Sequence, residues 1–164
     1  MPVSKTTTTD NIVIEVHFDG LCLPKNPGGI ACYAYIIKEK GSGRLLHSDS
    51  GIAAEPSAQS TNNVAEYTAL IRALEWLDEN GHASRKVEVK GDSQLVVKQM
   101  SGEFRVKHKQ IIPLFQRAAL LRKKFADISI TWVPREQNSE ADKLSERAYN
   151  NALLENPGLL DMIK

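Results

Sequence analysis

The sequence predicts an α/β domain: a five-stranded mixed sheet, its first three strands antiparallel, with helices on both faces. Three observations carry this. Three strand-like stretches follow one another through short turns at the start of the chain, which favours an antiparallel meander. A long helical pattern then leads to a fourth strand, and such a crossover brings a strand back parallel to an earlier one. Further helical stretches around a fifth strand complete the order βββαβααβα, which places helices over a mixed sheet.

The first strand is read from Ile12, Ile14, Val16 and Phe18 alternating with Glu15, His17 and Asp19, and Asp19-Gly20 is expected to end it. Pro24-Lys25-Asn26-Pro27-Gly28-Gly29 is a turn cluster. Strands are expected over Ile30–Lys38 and, after Gly41-Ser42-Gly43, over Arg44–Ala53. Asn62–Asn80 reads as a helix, because Tyr67, Leu70, Ile71, Leu74 and Leu77 keep helical spacing and Asn80-Gly81 stops it. Lys86–Lys90 is the fourth strand and Ser93–Met100 a short helix. The connector Arg105–Lys109 leads to a helix running through Phe125, with Pro113 in its first turn, where proline costs little. Ile128–Val133 is the fifth strand, Pro134–Asn138 a loop, and Ser139 to about Leu153 the last helix. The expected organisation is a flexible tail over residues 1–10, one domain over 11–152 and a C-terminal tail over 153–164. Leu159, Leu160 and Ile163 in that tail either pack on the domain or serve a partner.

A chain of 164 residues suits one domain with a real core. No apolar run comes near the ~18 residues of a membrane helix, and the polar start, Met1 to Asp10, lacks the apolar stretch of a secretory signal. A cytoplasmic protein without membrane partners is expected. Cys22 and Cys32 suit free thiols in a reducing compartment, or a pair if their segments form a hairpin. The net charge of +1 hides an asymmetry: Arg105 to Ala126 holds seven basic residues and no acid, against a net −6 elsewhere. That stretch is either a solvated helix face or a zone for a polyanion.

Four acids stand out. Asp19 and Asp92 are read at the carboxyl ends of strands; Glu66 and Asp142 sit early in helices that follow loops. Each also has a purely local reading: Asp19-Gly20 as a turn, Glu66 as a partner of the helix start, Asp92 as an N-cap, and Ser139 with Asp142 as a capping box. Local readings do not explain why all four fall at positions that, in a mixed sheet with a right-handed crossover, can point into one crevice. Four clustered carboxylates stay ionised only with cations among them, and hard oxygen ligands suit magnesium or manganese. Two such ions are a standard device for in-line phosphoryl displacement.

The segments Phe18-Asp19-Gly20, Asn26-Pro27-Gly28-Gly29, Thr61-Asn62-Asn63-Val64-Ala65-Glu66-Tyr67, Gly91-Asp92-Ser93-Gln94-Leu95-Val96, Trp132-Val133-Pro134-Arg135 and Asn138-Ser139-Glu140-Ala141-Asp142 resemble type 1 ribonuclease H, in particular its compact archaeal and related bacterial members. The likeness spans Ile12 to Tyr149. Each motif alone is weak; their order and spacing are specific. The resemblance implies the ribonuclease H-like fold and cleavage of the RNA strand of RNA–DNA hybrids with two Mg2+ or Mn2+ ions, leaving 5′-phosphate and 3′-hydroxyl ends. It makes Asp19 the bridging ligand, Glu66 and Asp92 partners of the leaving-group ion, and Asp142 a ligand of the ion that activates water. It further implies substrate contacts from the main chain around Gly20 and Cys22 to RNA 2′-hydroxyls, from Asn26, Asn62 and Gln94 near the minor groove, and from Thr61 to a DNA phosphate. Asn63 stands between helix capping and substrate contact.

The sequence departs from well-known members in three places. The loop after the last strand has no histidine, so Arg135 or Glu136 takes that place or nothing does. His17 shares a strand face with Asp19, but reads as structural. A protruding basic helix is missing, and Arg105, Lys107 and Lys109 are the candidates for the DNA-strand grip. Lys25 is an extra residue before Asn26. No hybrid-binding module precedes the domain, so this one domain is expected to supply all the affinity; a monomer is also expected. Double-stranded RNA stays open as a second substrate. Two rival readings are a non-catalytic nucleic-acid-binding domain, which the presence of all four acids opposes, and a resolvase or integrase core, which Gly91-Asp92-Ser93-Gln94 and Asn62-Asn63 oppose.

Overall fold

In the computed structural model, which describes residues 11–163, five strands form one sheet in the order β3-β2-β1-β4-β5. The tail expected over residues 1–10 lies outside the described residues. Strands β1 (Val13–Leu23), β2 (Ile30–Glu39) and β3 (Leu45–Ala54) are the antiparallel meander. Helix α1 (Asn62–Glu79) crosses to β4 (Lys86–Gly91), which pairs parallel with β1. Helices α2 (Gln94–Met100) and α3 (Ile112–Arg122) precede β5 (Asp127–Trp132), parallel to β4, and α4 (Ser139–Glu155) closes the domain. The mixed sheet and antiparallel meander match the fold expected from sequence.

The two faces are covered by different helices. Ile14, Val16 and Phe18 of β1, with Val87 and Val89 of β4, meet Tyr67, Leu70, Leu74 and Leu77 of α1 and Ala118 and Leu121 of α3 in the main core. The alternation of β1 sends its other residues to the opposite face, under α4. There Leu21, Ile30 and Cys32 meet Ala148 and Ala152. This alternation also separates the cysteines. Leu21, not Cys22, lies opposite Cys32, so the two thiols point to opposite faces, and both are free and buried.

Several boundaries differ from expectation. Strand β1 does not end at Asp19-Gly20, because its pairing with β2 continues from Asp19↔Ala34 to Leu23↔Ile30. Gly20 is a glycine for close approach rather than for a turn: a Cβ there would collide with the main chain of Ala65 and Glu66. Asp92 is not an N-cap. Ser93 caps α2 instead, its Oγ accepting from the Val96 N–H at 3.2 Å. Nor is there a capping box at α4: its N-cap is Asn138, without a side-chain cap bond. Helix α3 stops at Arg122, and Phe125 is buried beyond it. Arg135–Gln137 is a short 3-10 turn where a loop was expected.

At the C-terminus, α4 runs to Glu155, and Pro157–Met162 forms a second 3-10 turn. Leu159 is 1% exposed and packs with Ile30, Cys32, Ala148 and Ala152, whereas Leu160 is exposed. Leu159→Ala is therefore expected to destabilise the domain by about 2 kcal/mol or more, read as a lower urea midpoint with an unchanged slope.

Candidate active site

Parallel pairing of β1 with β4 stops at Phe18↔Gly91. Asp19 and Asp92 are the next residues along these neighbouring strands, so their side chains start side by side. Gly91 leaves room for the Phe18 ring, which a Cβ would strike. Gly20 lets the start of α1 descend onto β1, and this lowers Glu66 into the same place. One oxygen from each of Asp19, Glu66 and Asp92 lies within 4.8 Å of the others. Asp142, in the first turn of α4, is outside this tight group but lines the same cleft of about 570 Å³.

Helix α4 is anchored to that cleft by two side chains that sequence reasoning missed. Asn138 is 1% exposed and its Nδ2 donates to the Phe18 carbonyl at 2.9 Å. Ser145 is fully buried, with its Oγ 2.7 Å from the Asp142 carbonyl and 3.3 Å from Asp19 Oδ2. An asparagine before a helix reads as an N-cap, which hides the first. A lone helical serine carries no signal at all for the second. Glu146, one turn beyond Asp142, is a further cleft acid that went unnoticed.

The electrostatics are those of crowded acids. Burial, then the Asp92 charge, pushes the Asp19 carboxyl up to about 8, while the Gly20 N–H pulls it down. Burial raises Glu66 well above the usual carboxylate range, with Asp19 and Asp92 adding to it. Glu66 Oε2 is buried with no hydrogen-bond partner. A buried carboxylate with an unpartnered oxygen, grouped with two other carboxylates, is costly by itself and suits a hard divalent cation. The donor set thus fits magnesium or manganese.

The other residues singled out from sequence fall in different places. Gly20, Cys22, Asn26, Asn62 and Arg135 line the cleft with the acids. Asn26 Oδ1 accepts from the Asn62 N–H at 3.0 Å, tying the β1–β2 turn to the start of α1. Thr61 does not line the cleft; its Oγ1 accepts from the Val64 N–H at 3.1 Å and caps α1. Asn63 and Gln94 sit at helix starts just outside the cleft, Gln94 exposed beside cleft-lining Ser93. Arg105, Lys107 and Lys109 are exposed on the α2–α3 connector. Val106 packs on the core and Lys98 Nζ lies 5.0 Å from the centre of the Phe104 ring, so the connector is held where it leaves α2. His17 does not line the cleft; it is half-buried beside Asn138 and Glu140, and burial lowers its pKa.

Residues 18–148 match the family model described as reverse transcriptase-like. The ribonuclease HI of Halobacterium salinarum is 41% identical over 111 residues, covering 66% of this chain and 55% of that protein. The N-terminal RNase H domain of Rv2228c from Mycobacterium tuberculosis, a solved structure, is 31% identical with a TM-score of 0.78, covering 88% of this chain and 99% of that one. This chain belongs to the type 1 ribonuclease H family. A further member, LC11-RNase H1 isolated from compost, is solved in complex with an RNA/DNA hybrid; it is 34% identical with a TM-score of 0.72 over 87% of this chain and 99% of that one. The chain spans 33% of the length of the mycobacterial proteins that head its curated relatives. In this chain, the segment after β5 that carries no histidine brings Arg135 into the cleft, its guanidinium 3.5 Å from Asp142 Oδ1.

Proposed function

We propose that this chain hydrolyses the RNA strand of RNA–DNA hybrids, leaving 5′-phosphate and 3′-hydroxyl ends. The observation that carries this reading is the meeting of Asp19, Glu66 and Asp92 oxygens within 4.8 Å, in a cleft shared with Asp142. Asp19 would serve both of two cations, with Glu66 and Asp92 holding one and Asp142 the other. Bound magnesium or manganese supplies the charge that activates water and stabilises the leaving oxygen in an in-line displacement.

The chain's own residues do the rest. The main chain at Gly20 and Cys22 borders the acids and recognises RNA 2′-hydroxyls, the group DNA lacks. Asn26 and Asn62, tied to each other, and Gln94 meet the minor groove, with Asn63 beside them. Thr61 presents the amino end of α1, with its cap, to a phosphate of the DNA strand. Arg135 holds Asp142 and meets the substrate's charge. The protein acts as a monomer in the cytoplasm.

The test is a panel of matched RNA–DNA, RNA–RNA and DNA–DNA duplexes in magnesium or manganese, with Asp92→Asn alongside. Cleavage of the hybrid, lost in the variant, supports the reading; RNA–RNA cleavage would widen the substrate range. Binding without cleavage in either metal would sink it in favour of a binding module. Replacing both Lys107 and Lys109 by alanine is expected to raise KM for the hybrid with kcat nearly unchanged. The same change should flatten the salt dependence of binding by about two phosphate contacts, measured by titrating a labelled hybrid at several salt concentrations.

A further inference from the structure

Ser145 is a hydroxyl in a place that otherwise favours carbon. It is fully buried on α4, where the other buried positions after the first turn are Ala148 and Ala152. A buried hydroxyl is costly unless bonded, and alanine would suit both the helix and the packing. Its Oγ has two oxygen neighbours and one hydrogen to share between them. The main-chain oxygen of Asp142 lies at 2.7 Å in its own helix, and Asp19 Oδ2 at 3.3 Å on the central strand. The hydroxyl therefore bridges two elements, and each partner belongs to one of the four cleft acids.

We propose that Ser145 is a positioning residue that ties the Asp19 carboxylate to the first turn of α4 and so sets how Asp19 and Asp142 stand toward each other. This rests on the reading of these acids as cation ligands. Asp19 is held by the sheet and Asp142 by the helix, so their relative placement depends on what joins the two elements. Asn138 pins the end of α4 to the Phe18 carbonyl. Ser145, two turns further on, makes the second attachment and makes it to the carboxylate itself. This attachment keeps the Asp19 side chain from turning freely against the first turn of α4. Outer partners of ligating carboxylates commonly matter tenfold or more for affinity or activity.

The experiment compares Ser145→Ala, Ser145→Cys and Ser145→Thr with wild type. Alanine removes the hydroxyl; cysteine keeps the volume but is a poor donor; threonine keeps the hydroxyl. The readouts are Mn2+ binding by calorimetry without substrate, kcat and KM on a hybrid, and melting temperature in chelator. Alanine and cysteine are expected to weaken Mn2+ binding and lower kcat by about tenfold, with KM within about twofold of wild type and melting in chelator nearly unchanged. Threonine is expected to restore much of both. Wild-type Mn2+ affinity and kcat in the alanine variant would overturn the proposal, as would losses that track a fall in melting temperature. A wild-type protein that takes up no Mn2+ would overturn the cation reading and this proposal with it. One that takes up Mn2+ equally with and without the hydroxyl would overturn this proposal alone.

Discussion

Glu66→Gln is expected to abolish hybrid cleavage while raising the melting temperature of the cation-free protein. Activity should fall by at least about 10²-fold, more than losing an outer partner of a ligand commonly costs. Stability should move the other way. Glu66 is 3% exposed, its Oε2 has no partner, and it faces Asp19 and Asp92 across less than 4.8 Å. Without cations that arrangement charges the fold with repulsion and desolvation. Glutamine keeps the shape, is neutral without having to take up a proton, and offers an N–H pair to the neighbouring carboxylates. A gain of about 1 kcal/mol corresponds to roughly 2–4 °C for a domain of this size. Paired melting curves in chelator and a hybrid-cleavage assay would decide it. A destabilised, inactive variant would show that Glu66 is a structural acid and not a ligand held at a cost.

Divalent cations are expected to stabilise the wild-type protein, and the effect should grow with pH. A ligand at a hundred times its dissociation constant stabilises by about 2.7 kcal/mol, several degrees in melting temperature. The pH dependence follows from Asp19, whose carboxyl is pushed from an ordinary 3.8 to about 8, first by burial and then by Asp92. Between those values the folded protein holds a proton that the unfolded chain has released. That contribution to cation-free stability is complete below the ordinary value and is lost as pH rises through about 8. Cations displace the same proton, so their apparent affinity should drop as pH falls below about 8. His17 and His82 work in the opposite sense. Burial lowers both from an ordinary 6.5, so their contribution is present above that value and lost as pH falls through their lowered values. Cation-free stability should therefore decline from about pH 6.5 toward 8, and the gap between melting curves with and without Mn2+ should widen. A gap that narrows with rising pH would contradict the grouping of the acids.

Much of this was legible in the chain because the patterns are strong. The alternation in β1 and the helical spacing of Tyr67, Leu70, Leu74 and Leu77 survive in the core unchanged. What misled was local chemistry with a tertiary cause. Gly20 follows an aspartate and reads as a turn, yet its missing Cβ answers to α1, more than 40 residues away. Asp92 and Ser93 both suit an N-cap, and the hydroxyl took that role, which leaves the carboxylate to face Asp19 and Glu66. Thr61 shows the converse, since a residue assigned to substrate also caps its helix. The ties from Asn138 to Phe18 and from Ser145 to Asp19 span 120 and 126 residues and leave no local pattern to read.

The most direct measurement of the central claim is cleavage of an end-labelled RNA–DNA hybrid by protein stripped of metals, before and after magnesium or manganese is added back. No cleavage in chelator, then RNA-strand cleavage with 5′-phosphate and 3′-hydroxyl ends once either cation returns, is the expected result. Cleavage that persists in chelator, or products with the opposite end chemistry, would contradict a site in which Asp19, Glu66, Asp92 and Asp142 work by holding cations.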